Sequence, residues 1–208
     1  MFRIASWIAI CFFAALVAPR LATAEEFQCP GGTSVHGEPP PRGEKAWCEL
    51  PDGIQHGPSL SWYEAGEPMA EAHFDEGKLH GVFRLWHAKG QLAEEGTYVA
   101  DQRHGTFSTW GEDGVKLLEQ NFLNGKRNGE FKRWHLNGQL QFSEHYVDGE
   151  KDGPAVAYFE NGQKEAEGTF RKGRFHGTWT GWYPDGAKRK VAVFVDGDRI
   201  SIETFSDE

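Results

Sequence analysis

The glycines of this chain keep a step of 24 residues. One series runs Gly57, Gly81, Gly105, Gly129, Gly153 and Gly177. A second runs Gly66, Gly90, Gly114, Gly138, Gly162 and Gly186. A third runs Gly77, Gly125, Gly149, Gly173 and Gly197, with Asp101 as its one exception. Six units in step, without insertion, identify a repeat architecture rather than a single packed core.

Aromatic residues keep the same step. Trp62, Trp86, Trp110, Trp134, Tyr158 and Trp182 hold one position of the unit. Phe74, Tyr98, Phe122, Tyr146, Phe170 and Phe194 hold another. Phe83, Phe107, Phe131 and Trp179 hold a third, where Ser59 and Ala155 break the pattern. Turn-forming glycines arrive too often for a helix, and the short segments between them mix aromatic and polar residues, which is the signature of strands and hairpins. Aliphatic residues are sparse, so aromatic rings supply the packing.

Tyr183-Pro184-Asp185-Gly186 specifies the hairpin loop. Proline suits the first central position of a type I turn, and the glycine takes the left-handed conformation that closes a three-residue loop. With that geometry in every unit, Trp86 faces Leu92 and Trp134 faces Leu140. Trp110, Tyr158 and Trp182 then face Lys116, Lys164 and Lys188. Each pair is expected to contribute about 0.5–1 kcal/mol. Phe83 and Trp86 lie three residues apart, so a regular strand sends them to opposite faces. Either both faces carry rings, or a bulge turns one inward. The expected fold is all-β: an elongated antiparallel meander of six 24-residue β-hairpin repeats over residues 54–200, with stability nearly one-dimensional along the array. If buried, Trp134 is expected to cost roughly 3–5 kcal/mol on truncation to alanine.

The ends differ from the repeats. Residues 1–24 read as a signal peptide: Arg3, the apolar run from Ile4 to Val17, then the small-residue site Ala22-Thr23-Ala24. Cleavage near Ala24 leaves a periplasmic or extracellular protein. Two cysteines then remain, Cys29 and Cys48, and in an exported chain an even pair reads as one disulfide. Residues 25–53 form an N-terminal Pro/Gly-rich cap, with Trp47 to Leu50 as a strand and Asp52-Gly53 as its turn. Residues 201–208 form an acidic end that adds a last strand. The net charge of −9 makes nucleic acid an unsuitable partner.

The repeated phrases resemble MORN repeats, and more closely the MORN variant of bacterial antitoxin-like proteins. The matching stretches are Asn124-Gly125-Lys126-Arg127-Asn128-Gly129, then Phe131-Lys132-Arg133-Trp134, then Asn137-Gly138-Gln139-Leu140, with Asp196-Gly197 echoing the first. The resemblance implies a binding or assembly platform, sometimes linked to membranes. It does not imply a catalytic residue.

No catalytic, cofactor-binding or metal site is expected. His56, His80, His104 and His176 share a repeat position with Asn128 and Asp152. Equivalent positions lie two strands apart, about 10 Å, too far to share one ion. All three residue types tolerate the backbone of a turn before glycine. His87 and His135 read as solvent-facing residues beside hairpin turns. Basic residues gather late, at Arg171, Lys172, Arg174, Lys188, Arg189 and Lys190, and are a candidate surface for an anionic partner. The expected function is an exported, non-catalytic scaffold that binds another protein, in the cell envelope or outside the cell. Two other expectations stand beside it: a scaffold with peripheral membrane contact through the basic loops, and an antitoxin-like inhibitor of a partner protein.

Overall fold

The computed structural model describes residues 27–206. The expected signal peptide and the final Asp207 and Glu208 lie outside them. Sixteen strands make one open antiparallel sheet, and no described residue is helical. An N-terminal hairpin comprises β1 (Ser34–Glu38) and β2 (Lys45–Glu49). The first unit is β3 (Gln55–Trp62) with β4 (Pro68–Asp75). In the second, a first strand split at His80 into β5 (Lys78–Leu79) and β6 (Gly81–Trp86) pairs with β7 (Leu92–Val99). Then follow β8 (Gln102–Trp110) with β9 (Lys116–Leu123), and β10 (Lys126–Trp134) with β11 (Leu140–Val147). The last two units are β12 (Glu150–Tyr158) with β13 (Lys164–Arg171), and β14 (Arg174–Trp182) with β15 (Lys188–Val195). A final strand, β16 (Asp198–Thr204), spans residues on both sides of position 200. Apart from β5, which pairs only with β4, the strands pair in chain order, so the sheet is a meander.

Two turn types alternate along its two margins. The three-residue loops form as the Pro-Asp-Gly phrase requires: Gly186 N donates to Tyr183 O, and Tyr183 N donates to Ala187 O. The other margin carries two-residue turns. Asn124 and Gly125 have φ of 51° and 79°, and Asp148 and Gly149 have 51° and 92°. Two consecutive left-handed residues define a type I′ turn, whose twist matches that of its strands. Asp101 adopts φ 67° in place of a glycine, and its carboxylate accepts from Leu79 N at 2.8 Å. Each of these turns also docks on the preceding unit. Gly125 N donates to Arg103 O, Gly149 N to Arg127 O and Gly173 N to Lys151 O.

The first glycine series lies in strands, not in loops. Gly81, Gly129 and Gly153 have φ of 108°, 105° and 125°. Backbone this far from a regular strand accompanies an irregular register, as between Arg127 and Phe131 where β10 meets β9.

The cross-strand pairs match the loop geometry. Trp86 is opposite Leu92, Trp110 opposite Lys116, Trp134 opposite Leu140, Tyr158 opposite Lys164 and Trp182 opposite Lys188. One step further in, each register shifts. Leu85 pairs with Glu94 and Thr109 with Leu118, leaving Ala93 and Leu117 as extra residues on the return strands. Met69, Gln141, Glu165 and Arg189 are extra at the same place in their units. This bulge reverses side-chain parity on the return strand, which keeps Lys116 on the face of Trp110. The first strand stays regular, so both faces carry rings: the Phe83-type positions on one and the tryptophans on the other.

The core is thin. Phe107, at 2% exposure, is its largest fully buried side chain, and Trp62, Trp86, Phe122 and Tyr146 are also buried. Trp134 is only half-buried. A single sheet without a covering layer leaves its rings to shield one another.

At the N-terminus, Cys29 and Cys48 form a disulfide with Cα atoms 5.6 Å apart. It ties the segment before β1 to β2, where Cys48 and Ala46 are fully buried. The proline stretch forms the β1–β2 loop, within the span that the bridge closes.

Candidate functional site

The ring face is a ladder of edge-to-face contacts. Phe83 meets Tyr98 at 5.5 Å, Tyr98 meets Phe107 at 5.3 Å, and Phe107 meets Phe122 at 5.4 Å. A second stretch begins at Phe131, which meets Tyr146 at 5.7 Å. Cations lie over these rings from one repeat position: Arg103 over Phe107 and Phe122, Arg127 over Phe131 and Tyr146, Lys151 over Phe170. Burial, then the neighbouring Glu144 carboxylate, pushes the Tyr146 hydroxyl up from its usual pKa.

The ladder changes at the fifth and sixth units. Ala155 stands where a ring would, and Glu144 fills part of that space. The Glu144 carboxylate accepts from Lys151 Nζ at 2.6 Å and from the Tyr146 hydroxyl at 3.1 Å. In the sixth unit Phe175 takes the cation position and stays 42% exposed. It meets Phe170 at 5.0 Å, Trp179 at 4.7 Å and Phe194 at 5.2 Å. The indole of Trp179 is held by its N–H, which donates to Thr169 O at 3.0 Å. A groove of about 220 Å³ opens on one side of Trp179, over Ala155, Ala157 and Ala166. Another of about 200 Å³ opens on the other side, among Phe194, Arg189, Lys190 and Ile202. Small floor residues and exposed rings make this the apolar patch best suited to a ligand.

The tryptophan face is electrostatic. Arg84 donates to Glu71 at 3.0 Å and to Glu95 at 2.6 Å across three strands. Lys132 pairs with Glu130 at 2.7 Å, and that contact, opposed by partial desolvation and aided by Ser143, holds the Glu130 carboxyl below the usual carboxylate range. The Lys116 ammonium lies 5.7 Å from the Trp110 ring and 5.4 Å from the Trp134 ring. Lys164, opposite Tyr158, reaches instead over Trp182 of the next unit at 5.8 Å. These cations therefore join units as well as strands.

At the repeat position of the histidines, His56, Asn128 and His176 each accept from a turn N–H, whereas His104 Nδ1 is enclosed without a hydrogen-bond partner. Glu76 N–H donates to His56 Nδ1 at 3.3 Å, and Asp148 N–H donates to Asn128 Oδ1 at 3.3 Å. No group of metal-ligating side chains is assembled among the described residues. His87 and His135 are not solvent-facing: each is half-buried, with Nε2 bonded to the carbonyl of Trp110 at 2.9 Å and of Tyr158 at 2.8 Å. They staple one hairpin loop to the next. Their donors sit 23 residues before the acceptors, a spacing that the 24-residue step makes legible only once neighbouring loops are known to stack.

The six late basic residues divide between the two margins. Arg171, Lys172 and Arg174 stand at a type I′ turn beside Glu150 and Asp196. Lys188, Arg189 and Lys190 begin β15 at the opposite margin. The intervening strand β14 separates them by roughly 25 Å.

A family model for the MORN repeat variant matches residues 55–76, 79–100, 127–148 and 151–172. The chain is a MORN repeat protein. Each match covers one hairpin of this MORN protein and ends in its type I′ turn. The third and sixth units, outside the matches, build the same hairpin in the same register. No curated protein matches this chain. Among solved structures, the GtfA/B complex bound to UDP and GlcNAc is similar at a TM-score of 0.25 and 14% identity. The likeness covers 72% of this MORN chain and 26% of that chain, so this protein spans about a quarter of its length. At that TM-score it says nothing of fold or function.

Proposed function

We propose that this MORN protein is an exported, non-catalytic scaffold that binds a protein partner in the cell envelope or outside the cell. The observation that carries the reading is the break in the ring ladder, which leaves Phe175 exposed beside a fixed Trp179 with a groove on either side. Elsewhere the rings are covered by cations or by one another. Exposed aromatic anchors in a groove are the common basis of protein recognition. Export is supported by the apolar leader and by the Cys29–Cys48 disulfide, which suits an oxidising compartment. A non-catalytic role is supported by half-buried carboxylates that are spent on ion pairs: Glu71 with Arg84, and Glu144 with Lys151.

A photo-reactive residue at position 175, in the source cell, tests this reading. A covalent adduct with one envelope or extracellular protein, absent when the reactive residue stands at Leu136, is the expected result. No protein adduct at position 175 would remove the reading, and a cytoplasmic chain with an intact leader would remove its exported part. The separation of the basic residues to opposite margins favours this surface over one broad lipid-binding face.

A further inference from the structure

The array ends differently at its two edges. At the N-terminal edge, β1 is short, carries Gly37 at φ 70°, and leads into a proline loop. Such features blunt an edge against further pairing. At the C-terminal edge, β16 repeats the first strand of a unit and lies at the end of the sheet among the described residues. All seven residues of β16 are exposed, it contains no proline or glycine, and only β15 pairs with it among the described residues. Ile200 and Ile202 stand 63% and 47% exposed.

The groove beside Trp179 opens onto this edge. Its walls are Phe175, Trp179, Phe194 and Ile202, and Arg189, Lys190 and Arg199 surround it. Elsewhere in the sheet, Arg84, Lys116, Lys132, Lys151 and Lys164 each hold a carboxylate. No described carboxylate lies within 4.0 Å of Arg189, Lys190 or Arg199, and the Arg189 Nε is enclosed without a hydrogen-bond partner. Arg103 and Arg127 each lie over a ring from the second strand of their own unit, at 5.3 and 5.5 Å. Arg199 occupies the same repeat position on β16.

Resting on the scaffold reading above, we propose that β16 accepts an extended acidic segment of the partner protein as an additional strand. The segment's main chain pairs with the open edge. An apolar or aromatic side chain enters the groove against Ile202 and Phe194 and lies under Arg199. Carboxylates two residues before or after it, on the same face of the strand, meet Arg189, Lys190 and Arg199. Strand addition draws affinity from main-chain hydrogen bonds and specificity from alternate side chains, and an edge with a groove and uncompensated cations supplies both. The net charge of −9 disfavours an acidic segment over most of the protein, which confines it to this end.

A displayed library of random short peptides, selected on the purified chain, tests the proposal. Enriched peptides should carry Asp or Glu two residues before or after an apolar residue, on one face of the strand. Their binding should slow amide exchange in β16 and in no other strand. Arg199→Glu, at an exposed position, should weaken binding at least about tenfold, whereas Leu136→Glu should not. Enrichment of neutral or basic peptides, or protection confined to another strand, would overturn the strand-addition proposal while leaving a protein-binding scaffold in place. So would β16 amides already protected in the free chain, whether by a second copy detected in sedimentation or by an acidic C-terminus whose removal exposes them. An absence of any enriched peptide, together with no adduct at position 175, would remove both.

Discussion

The ring of Phe107 fills the space that a side chain on Gly96 would need: a Cβ at Gly96 would lie 2.3 Å from two of its carbons. Gly168 stands in the same relation to Trp179, at 2.2 Å. Where the ring is replaced by Ala155, the facing residue is the larger Glu144. At these places large stands against small, as dense packing requires, whereas Phe131 faces Gln120.

Gly96→Ala tests this relation, because Gly96 has no left-handed backbone and the substitution acts through space alone. The expected cost is about 2–3 kcal/mol by chemical denaturation. Combined with Phe107→Ala, the two changes should cost clearly less than their sum. Additive losses would show that the ring does not rest on the glycine.

Phe107→Ala should be the most harmful truncation in the array, at roughly 3–5 kcal/mol. Trp134→Ala should cost less, since that ring is half-buried rather than enclosed. Thermal and denaturant melts of the two variants decide the order. The burial that would make Trp134 the critical ring is found instead at Phe107, Trp62 and Trp86.

His135→Ala should remove the bond to Tyr158 O and destabilise by about 1 kcal/mol. The loss should be local, with amide exchange faster at the loops of residues 135–139 and 159–163 and little changed near β3. A uniform change along the chain would contradict the one-dimensional picture.

Paired serines at Cys29 and Cys48 should cost about 3 kcal/mol, given a sequence separation of 19. The N-terminal hairpin should fray first, while the central repeats keep their exchange protection.

The Glu130 carboxyl, held down chiefly by Lys132, gives a pH dependence of known sign. Its contribution is complete above the unfolded value of about 4.3 and is lost as pH falls through the lower folded value. The side chain is half exposed, so the effect should stay below about 1 kcal/mol. Glu130→Gln should flatten that part of the stability curve between about pH 5 and pH 3, and an unchanged acid limb would refute the assignment.

The periodic glycines and rings determined the hairpins, their order and the tryptophan cross-strand pairs, because turn geometry is local and is written in the residues that form it. Local sequence could not place the bulges. Met69, Ala93, Leu117, Gln141, Glu165 and Arg189 share a position but no chemistry, since a bulge is set by how two strands twist past each other. That single extra residue decides which face each lysine joins relative to the rest of its strand, while the regular first strand puts the Phe83-type rings on one face and the tryptophans on the other. The staples from His87 and His135, and the groove beside Trp179, arise only between units. Their partners lie a full repeat away in the chain, and only the stacking of hairpins brings them into contact.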